Sequence, residues 1–241
     1  MTDFTMTTDA DGVATIVWDT VGKSMNVMSR DSMQVLNGLV DEALADDAVK
    51  GIIITSGKDT FAGGMDLNVL ASIRDESGDN PAQGLFDFTM AGHHMLRKIE
   101  RAGMDPKTNK GGKPIAAALP GTALGIGLEV PLACHRIFAA DNPKAKIGLP
   151  EIMVGIFPGA GGTTRLVRKL GAMAASPLLL EGKLNDPKRL KPPVSSTKLC
   201  QATNCWPRRK NGSCQNPRSS SHGTKKATRC RVAHLTTLPA S

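Results

Sequence analysis

The chain has 241 residues, with 30 Lys+Arg against 22 Asp+Glu (formal charge +8), 40% hydrophobic residues and only 3% aromatics. That apolar fraction excludes a wholly disordered polymer, and the length suffices for one large core or for one domain with an appendage. No apolar run reaches the roughly 18 residues of a membrane span, and the acidic, polar opening MTDFTMTTDADG reads as neither a secretory signal nor an Arg-rich transit peptide.

In chain order, Val13–Trp18 (VATIVW) is a β-rich run after the turn pair Asp11-Gly12. Ser29 is placed to cap a helix whose apolar positions Met33, Leu36, Leu39, Val40, Ala43 and Leu44 recur at three- and four-residue spacing. Gly51–Thr55 (GIIIT) is a short continuous apolar strand of the kind buried on both faces of a parallel sheet. A glycine-rich loop, Phe61–Asp66, leads into a helix to about Ile73. A second helix is expected over 85–101, with Leu85, Phe88, Leu96 and Ile99 inward. Pro114–Leu119 is another buried strand and runs into Gly121–Glu129. Arg136–Ala140 is a strand, and Thr163–Leu170 is a helix after the turn Pro158–Gly162. Strand, glycine loop and helix thus recur, which predicts an α/β fold with a mainly parallel sheet.

The composition changes at Lys191-Pro192-Pro193. Residues 1–191 carry 21 Lys+Arg and 22 Asp+Glu, whereas residues 192–241 carry nine cations and no acid, so the whole excess of charge lies in the last fifty residues. Those fifty also hold four of the five cysteines, five prolines and thirteen Ser/Thr, with no helical or strand period among their 14 hydrophobic residues. The chain therefore divides into a body, 1–191, and a basic tail, 192–241, expected to be irregular or the product of an altered reading frame. Cys200, Cys205, Cys214, His222, Cys230 and His234 fit no standard zinc spacing. Nine cations with Trp206 as the only aromatic make a poor nucleic-acid site beyond nonspecific attraction.

Candidate chemistry lies in the body. Gly63-Gly64 and Gly125–Gly127 each follow a buried strand, where backbone N–H groups can approach a ligand closely and, in the second case, lie at a helix start. Two such donors converging from separate loops make an oxyanion hole. Glu129 and Glu151 lie near these loops, and paired carboxylates in an apolar cleft can work as general acid and base on a bound water. The bland alternative makes both glutamates surface or helix-end carboxylates. Gly159–Gly162 lacks the dinucleotide-loop spacing and reads as a turn admitting a helix. His93 and His94 read as exposed or packing residues, Cys134 as a buried small residue, and Arg165, Arg168 and Lys169 as a solvated helix face.

Three segments, FAGGMDL (61–67), GTALGIGLE (121–129) and GLPEIMVGIFPGAGGTTRL (148–166), together resemble the signature segments of the crotonase superfamily. The resemblance is to enoyl-CoA hydratases, and in particular to the hydratase region of bacterial multifunctional β-oxidation proteins that continue into a 3-hydroxyacyl-CoA dehydrogenase. It runs in order from about Gly12 to about Lys191 and implies a ClpP/crotonase-like fold, a spiral of ββα units. It implies hydration of 2-trans-enoyl-CoA thioesters, with the backbone N–H groups of Gly63 and Ile126 as oxyanion donors and Glu129 and Glu151 as catalytic carboxylates. Gly64, Met65 and Asp66 would line the thioester and pantetheine path, and Ser24, Met25 and Asn26, with Lys23 and Val27, resemble the early coenzyme A-contacting loop. Coenzyme A would be part of the substrate, with no separate cofactor and no metal. The implied partners are further copies in a homotrimer and dehydrogenase or thiolase subunits, with no membrane and no nucleic acid, in the bacterial cytoplasm. Ile126 stands where the family usually has glycine, and its stiff side chain is expected to crowd the acyl path or weaken the oxyanion hole. Isomerase chemistry on the same fold, or noncatalytic binding through the basic tail, are the alternative readings.

Overall fold

A computed structural model of the chain describes residues 2–187, apart from 77 and 79, together with residues 197–200. The alternation in Val13–Trp18 (β2) buries Ala14, Ile16 and Trp18. Trp18 stacks on Phe4 at a ring separation of 5.1 Å and meets Phe61 edge-on at 6.0 Å, so three of the few aromatics of this sequence gather at one place in the core. Phe4 belongs to Phe4–Thr8 (β1), an edge strand antiparallel to β2 that the sequence pattern does not announce, since Phe4 is its only buried residue.

The main sheet continues through Gly51–Ser56 (β3), Ile115–Leu119 (β4), Arg136–Ala140 (β6) and Thr197–Cys200 (β8), in the order β1-β2-β3-β4-β6-β8 with every pair after the first parallel. After β2, β3, β4 and β6 the chain makes a short extended segment in a second row. Met28 bridges Met65, Ala62 bridges Ala123, Ala123–Leu124 (β5) pairs with Ile147–Gly148 (β7), and Ile147 bridges Asn185. Helices then lead back to the next main strand: Arg30–Ala45 (α1), Leu67–Glu76 (α2) with Pro81–Arg101 (α3), Ile126–Ala133 (α4), and Gly162–Leu170 (α5) with Ala172–Leu180 (α6). Strand, short strand and helix repeated in one direction make the expected spiral of ββα units. Four residues of the basic tail form β8, parallel to β6, through backbone ladder bonds that need no side-chain period.

The helix ends follow their capping chemistry. The Ser29 hydroxyl accepts from the Ser32 N–H at 3.0 Å, and Met33, Leu36, Val40 and Ala43 face the core while Leu39 and Leu44 pack at its rim. α3 begins four residues before the expected start, because the Asn80 side chain accepts from the Gln83 N–H and Pro81 sits at the first helical position. Those first turns project past the core: Leu85, expected inward, is 47% exposed, whereas Met95, Leu96 and Ile99 are buried. No helix among the described residues is long and apolar enough to cross a membrane.

Candidate active site

The two glycine loops lie against each other. The N–H groups of Phe61 and Ala62 donate to the Thr122 carbonyl at 2.8 and 3.1 Å, and the Leu124 N–H donates back to Ala62 O at 3.0 Å. Close approach requires glycine at Gly127, where a Cβ would lie 2.6 Å from the Ala62 Cβ. Gly125 caps α4 at φ +55°, ψ −130°, a conformation that L side chains rarely adopt, and a Cβ there would lie 3.3 Å from Glu151 Oε1 and 3.7 Å from Gly64 Cα. Gly64, Gly125 and Glu151 are thus neighbours. Ile126, the first residue of α4, has no preceding helical carbonyl for its N–H, and its side chain is 4% exposed within the core cluster. The Gly63 N–H, the other expected oxyanion donor, donates to Asn26 O at 2.8 Å.

Glu129 lies in the first turn of α4, every residue of which is buried, and is itself only 2% exposed. Its Oε1 accepts from the Gly162 N–H at 2.7 Å and the Ala160 N–H at 3.0 Å, so the turn before α5 closes over the carboxylate. Burial, reinforced by the charge of Glu151, pushes its pKa up to about 7, against the lowering pull of the two amides and Arg165. Glu151 sits in a 3-10 turn, Pro150–Val154, and is half-buried; desolvation raises its pKa as well, with its own backbone N–H opposing. Its Oε2 is buried with no hydrogen-bond partner among the described residues. A carboxyl group pushed up to about 7, with a second carboxyl group also raised and glycine-rich backbone beside it, has the chemistry to accept and deliver a proton near neutral pH.

The other residues singled out from the sequence are placed as follows. Asn26 turns its side chain into the core: it is fully buried, accepts from the Thr20 N–H at 2.8 Å and donates to Trp18 O, Ser56 Oγ and Phe61 O, tying β2, β3 and the first glycine loop together. Ser24 is exposed, and Met25 lies where a Cβ on Gly63 would meet its Sδ at 2.5 Å. Lys23 and Asp66 form an ion pair at 3.0 Å that joins this early loop to the glycine loop; that bond and the Asn68 N–H hold the Asp66 carboxyl below its usual range. Met65 is half-buried and bridges Met28. Cys134 is buried, and desolvation pushes its thiol up to about 12.

Arg165 and Lys169 do not form the expected solvated face. Arg165 is 8% exposed and donates to Ala160 O and to Glu100, while Lys169 is half-buried and donates to Cys134 O at 3.3 Å; only Arg168 projects outward. A run of cations at helical spacing reads as solvated because Glu100, which draws Arg165 inward, and Cys134 O, which draws Lys169 inward, come from distant segments. The tail cysteines and histidines lie outside the described residues, except for Cys200 at the end of β8. No group of three or more potential metal ligands occurs among the described residues.

Comparison with known proteins places this geometry. The sequence profile of the enoyl-CoA hydratase/isomerase family matches residues 10–191. The fatty acid oxidation complex subunit alpha of Shewanella amazonensis is 33% identical over 187 residues, covering 77% of this chain and 24% of that protein. Its counterpart in Shewanella frigidimarina is 34% identical over 180 residues, covering 74% and 23%. The chain thus spans about a quarter of the length of the curated relatives it matches. Among solved structures, an enoyl-CoA hydratase from Thermoplasma volcanium superposes with a TM-score of 0.65 at 25% identity, covering 78% of this chain and 67% of that one. The enoyl-CoA hydratase from Bacillus anthracis shares the fold with a TM-score of 0.69 at 23% identity, covering 84% and 72%. With its profile matched across the whole spiral from β2 to beyond α6, the chain belongs to the enoyl-CoA hydratase/isomerase family.

Proposed function

We propose that this chain adds water across the double bond of 2-trans-enoyl-CoA thioesters, as a hydro-lyase of fatty acid β-oxidation. The observation that carries the reading is the pair Glu129 and Glu151, both raised in pKa, set beside two glycine loops whose backbones approach within van der Waals distance. The ionised member of the pair takes a proton from water as the water oxygen attacks Cβ. The π electrons move toward the thioester, forming an enolate, and the protonated member delivers a proton to Cα as the enolate collapses. The amides of Ile126 and Gly63 hold the enolate oxygen. In the resting structure the Gly63 amide rests on the neutral carbonyl of Asn26. Exchanging that acceptor for an anionic oxygen gives a stronger, charge-assisted bond, so this donor acts more on the transition state than on the ground state. Ser24, Met25 and the backbone of Asn26, with Gly64, Met65 and Asp66, line the path of the thioester arm.

Hydration of crotonyl-CoA, followed by loss of the enoyl-thioester absorbance, tests the reading. Glu129→Gln and Glu151→Gln are each expected to lower kcat by about two to four orders of magnitude. A wild-type protein that shifts the double bond without hydrating it would assign isomerase chemistry instead, and unchanged rates in both variants would refute the reading. Association with further copies and with a dehydrogenase belongs to the same proposal. Its support is the relationship to much longer oxidation-complex subunits and the exposed apolar side chains Met153, Val154, Phe157, Met173 and Leu180 of the 150–180 segment that carries Glu151.

A further inference from the structure

Glu129 depends on a turn that has little stiffness of its own. Both its hydrogen-bond donors, the N–H groups of Ala160 and Gly162, lie in the run Gly159-Ala160-Gly161-Gly162, where three of four residues lack a side chain. Between these donors sits the Ala160 carbonyl, and it accepts from Arg165 Nη1 at 3.0 Å. The guanidinium lies close against the turn: a Cβ on Gly161 would come within 2.6 Å of Nη1. Its other end is anchored outside the turn: Nη2 reaches Glu100 Oε2 at 3.3 Å, and Glu100 also accepts from Arg97 at 2.6 Å on the same helix, α3. A continuous chain of contacts therefore runs from α3 through Arg165 to the peptide that holds the Glu129 carboxylate.

We propose that Arg165, seated on Glu100, is a positioning residue for Glu129: it fixes the 160–162 turn so that two backbone amides point at the carboxylate. The inference deepens the hydratase reading and rests on it for its catalytic consequence, but its physical content is the orientation of two amides. Arginine suits the role, since its planar fork can hold a carbonyl and a carboxylate at once, and a lysine at this position would reach only one.

The groups facing Glu129 are Glu151, Arg165 and the amides of Ala160 and Gly162. Those facing Arg165 and the turn are Glu100, Arg97, Arg168 and Lys169, with His93 of α3 beside Gly161. Their signs allow charge and position to be separated. Removing the Arg165 cation raises the pKa of Glu129 by charge alone. Removing the Glu100 anion lowers it by charge alone, yet raises it if the amides drift off the carboxylate.

The experiment is a carboxyl 13C NMR titration of Glu129 in the full chain, assigned with Glu129→Gln, in wild type, Arg165→Met, Arg165→Lys and Glu100→Ala. The expected result is an upward shift in both Arg165→Met and Glu100→Ala, with Arg165→Lys in between. Hydration by Glu100→Ala is expected to fall on the order of ten- to a hundred-fold in kcat with KM little changed. An unchanged or lowered Glu129 titration in Glu100→Ala overturns the proposal, and this variant carries the test should Arg165→Met not fold. Absence of hydration in the wild type would defeat the hydratase reading while leaving the titration result to decide the positioning role.

Discussion

Glu129 is an acid held inside a protein by two amides, and its carboxyl prefers to keep its proton once folded. The folded pKa of about 7 lies above the ordinary 4.5, so the folded state binds this proton more tightly than the unfolded chain does. The resulting contribution to stability is fully present below about pH 4.5 and is lost as pH rises toward and through 7, with Glu151 acting in the same direction. Its size is on the order of 1–3 kcal/mol. Glu129→Gln removes the titration and keeps an acceptor oxygen for the amides. Between pH 5 and pH 8 the Tm of wild type is therefore expected to fall by more than that of the variant; parallel Tm curves over that range would show that Glu129 does not titrate with folding. The same residue reads in the sequence as a helix-start glutamate with no visible partner, because its donors Ala160 and Gly162 lie more than thirty positions away. Arg165 is hidden from a sequence reading for the same reason, and Asn26, an expected coenzyme A contact, is drawn inward by four backbone and side-chain partners that no local pattern announces.

At the scale of elements, the site depends on how closely α4 can approach the first glycine loop. Gly127→Ala places a methyl group 2.6 Å from the Ala62 Cβ, on backbone that is hydrogen-bonded to its neighbour, and is expected to cost about 1–3 kcal/mol and to depress activity by parting the loops. The same substitution at Gly38 of α1, an exposed helical position with nothing within 4 Å, is expected to stabilise by about 0.5–1 kcal/mol. Urea unfolding of the two variants checks both signs; a neutral Gly127→Ala would mean that the loops separate without cost. Elements with strong periodic or continuous apolar patterns (β2, α1, β3, β4) are legible in the sequence to within a residue or two, as are the two glycine loops. Less legible are β1, which buries one residue of five, α6, which contains Pro177, and the two-residue strands β5 and β7, which are held by neighbours rather than by any pattern of their own.

At the scale of the molecule, the strand order runs in one direction from β1 to β8, so each turn of the spiral lies on the one before it. The first glycine loop follows β3, Glu129 follows β4, and Glu151 with the Ala160–Gly162 amides follows β6. The candidate site is therefore shared among three successive turns, and the last of them is the most thinly anchored. The 3-10 turn Pro150–Val154 buries none of its residues, α6 buries only Ala175 and Leu178, and Ile152–Phe157 lie open to solvent apart from the backbone. Local opening in proteins follows such differences in burial. Amide hydrogens of the 150–180 segment should exchange through a smaller opening free energy than those of β2, β3 and β4, whose chains sit in the middle of the ladder. Equal protection across both regions in native-state hydrogen exchange would contradict this. Its consequence is that the protein can lose the pairing of Glu129 with Glu151 while nearly all of its sheet is intact: mild denaturant would dismantle the candidate site before any change in sheet content became visible.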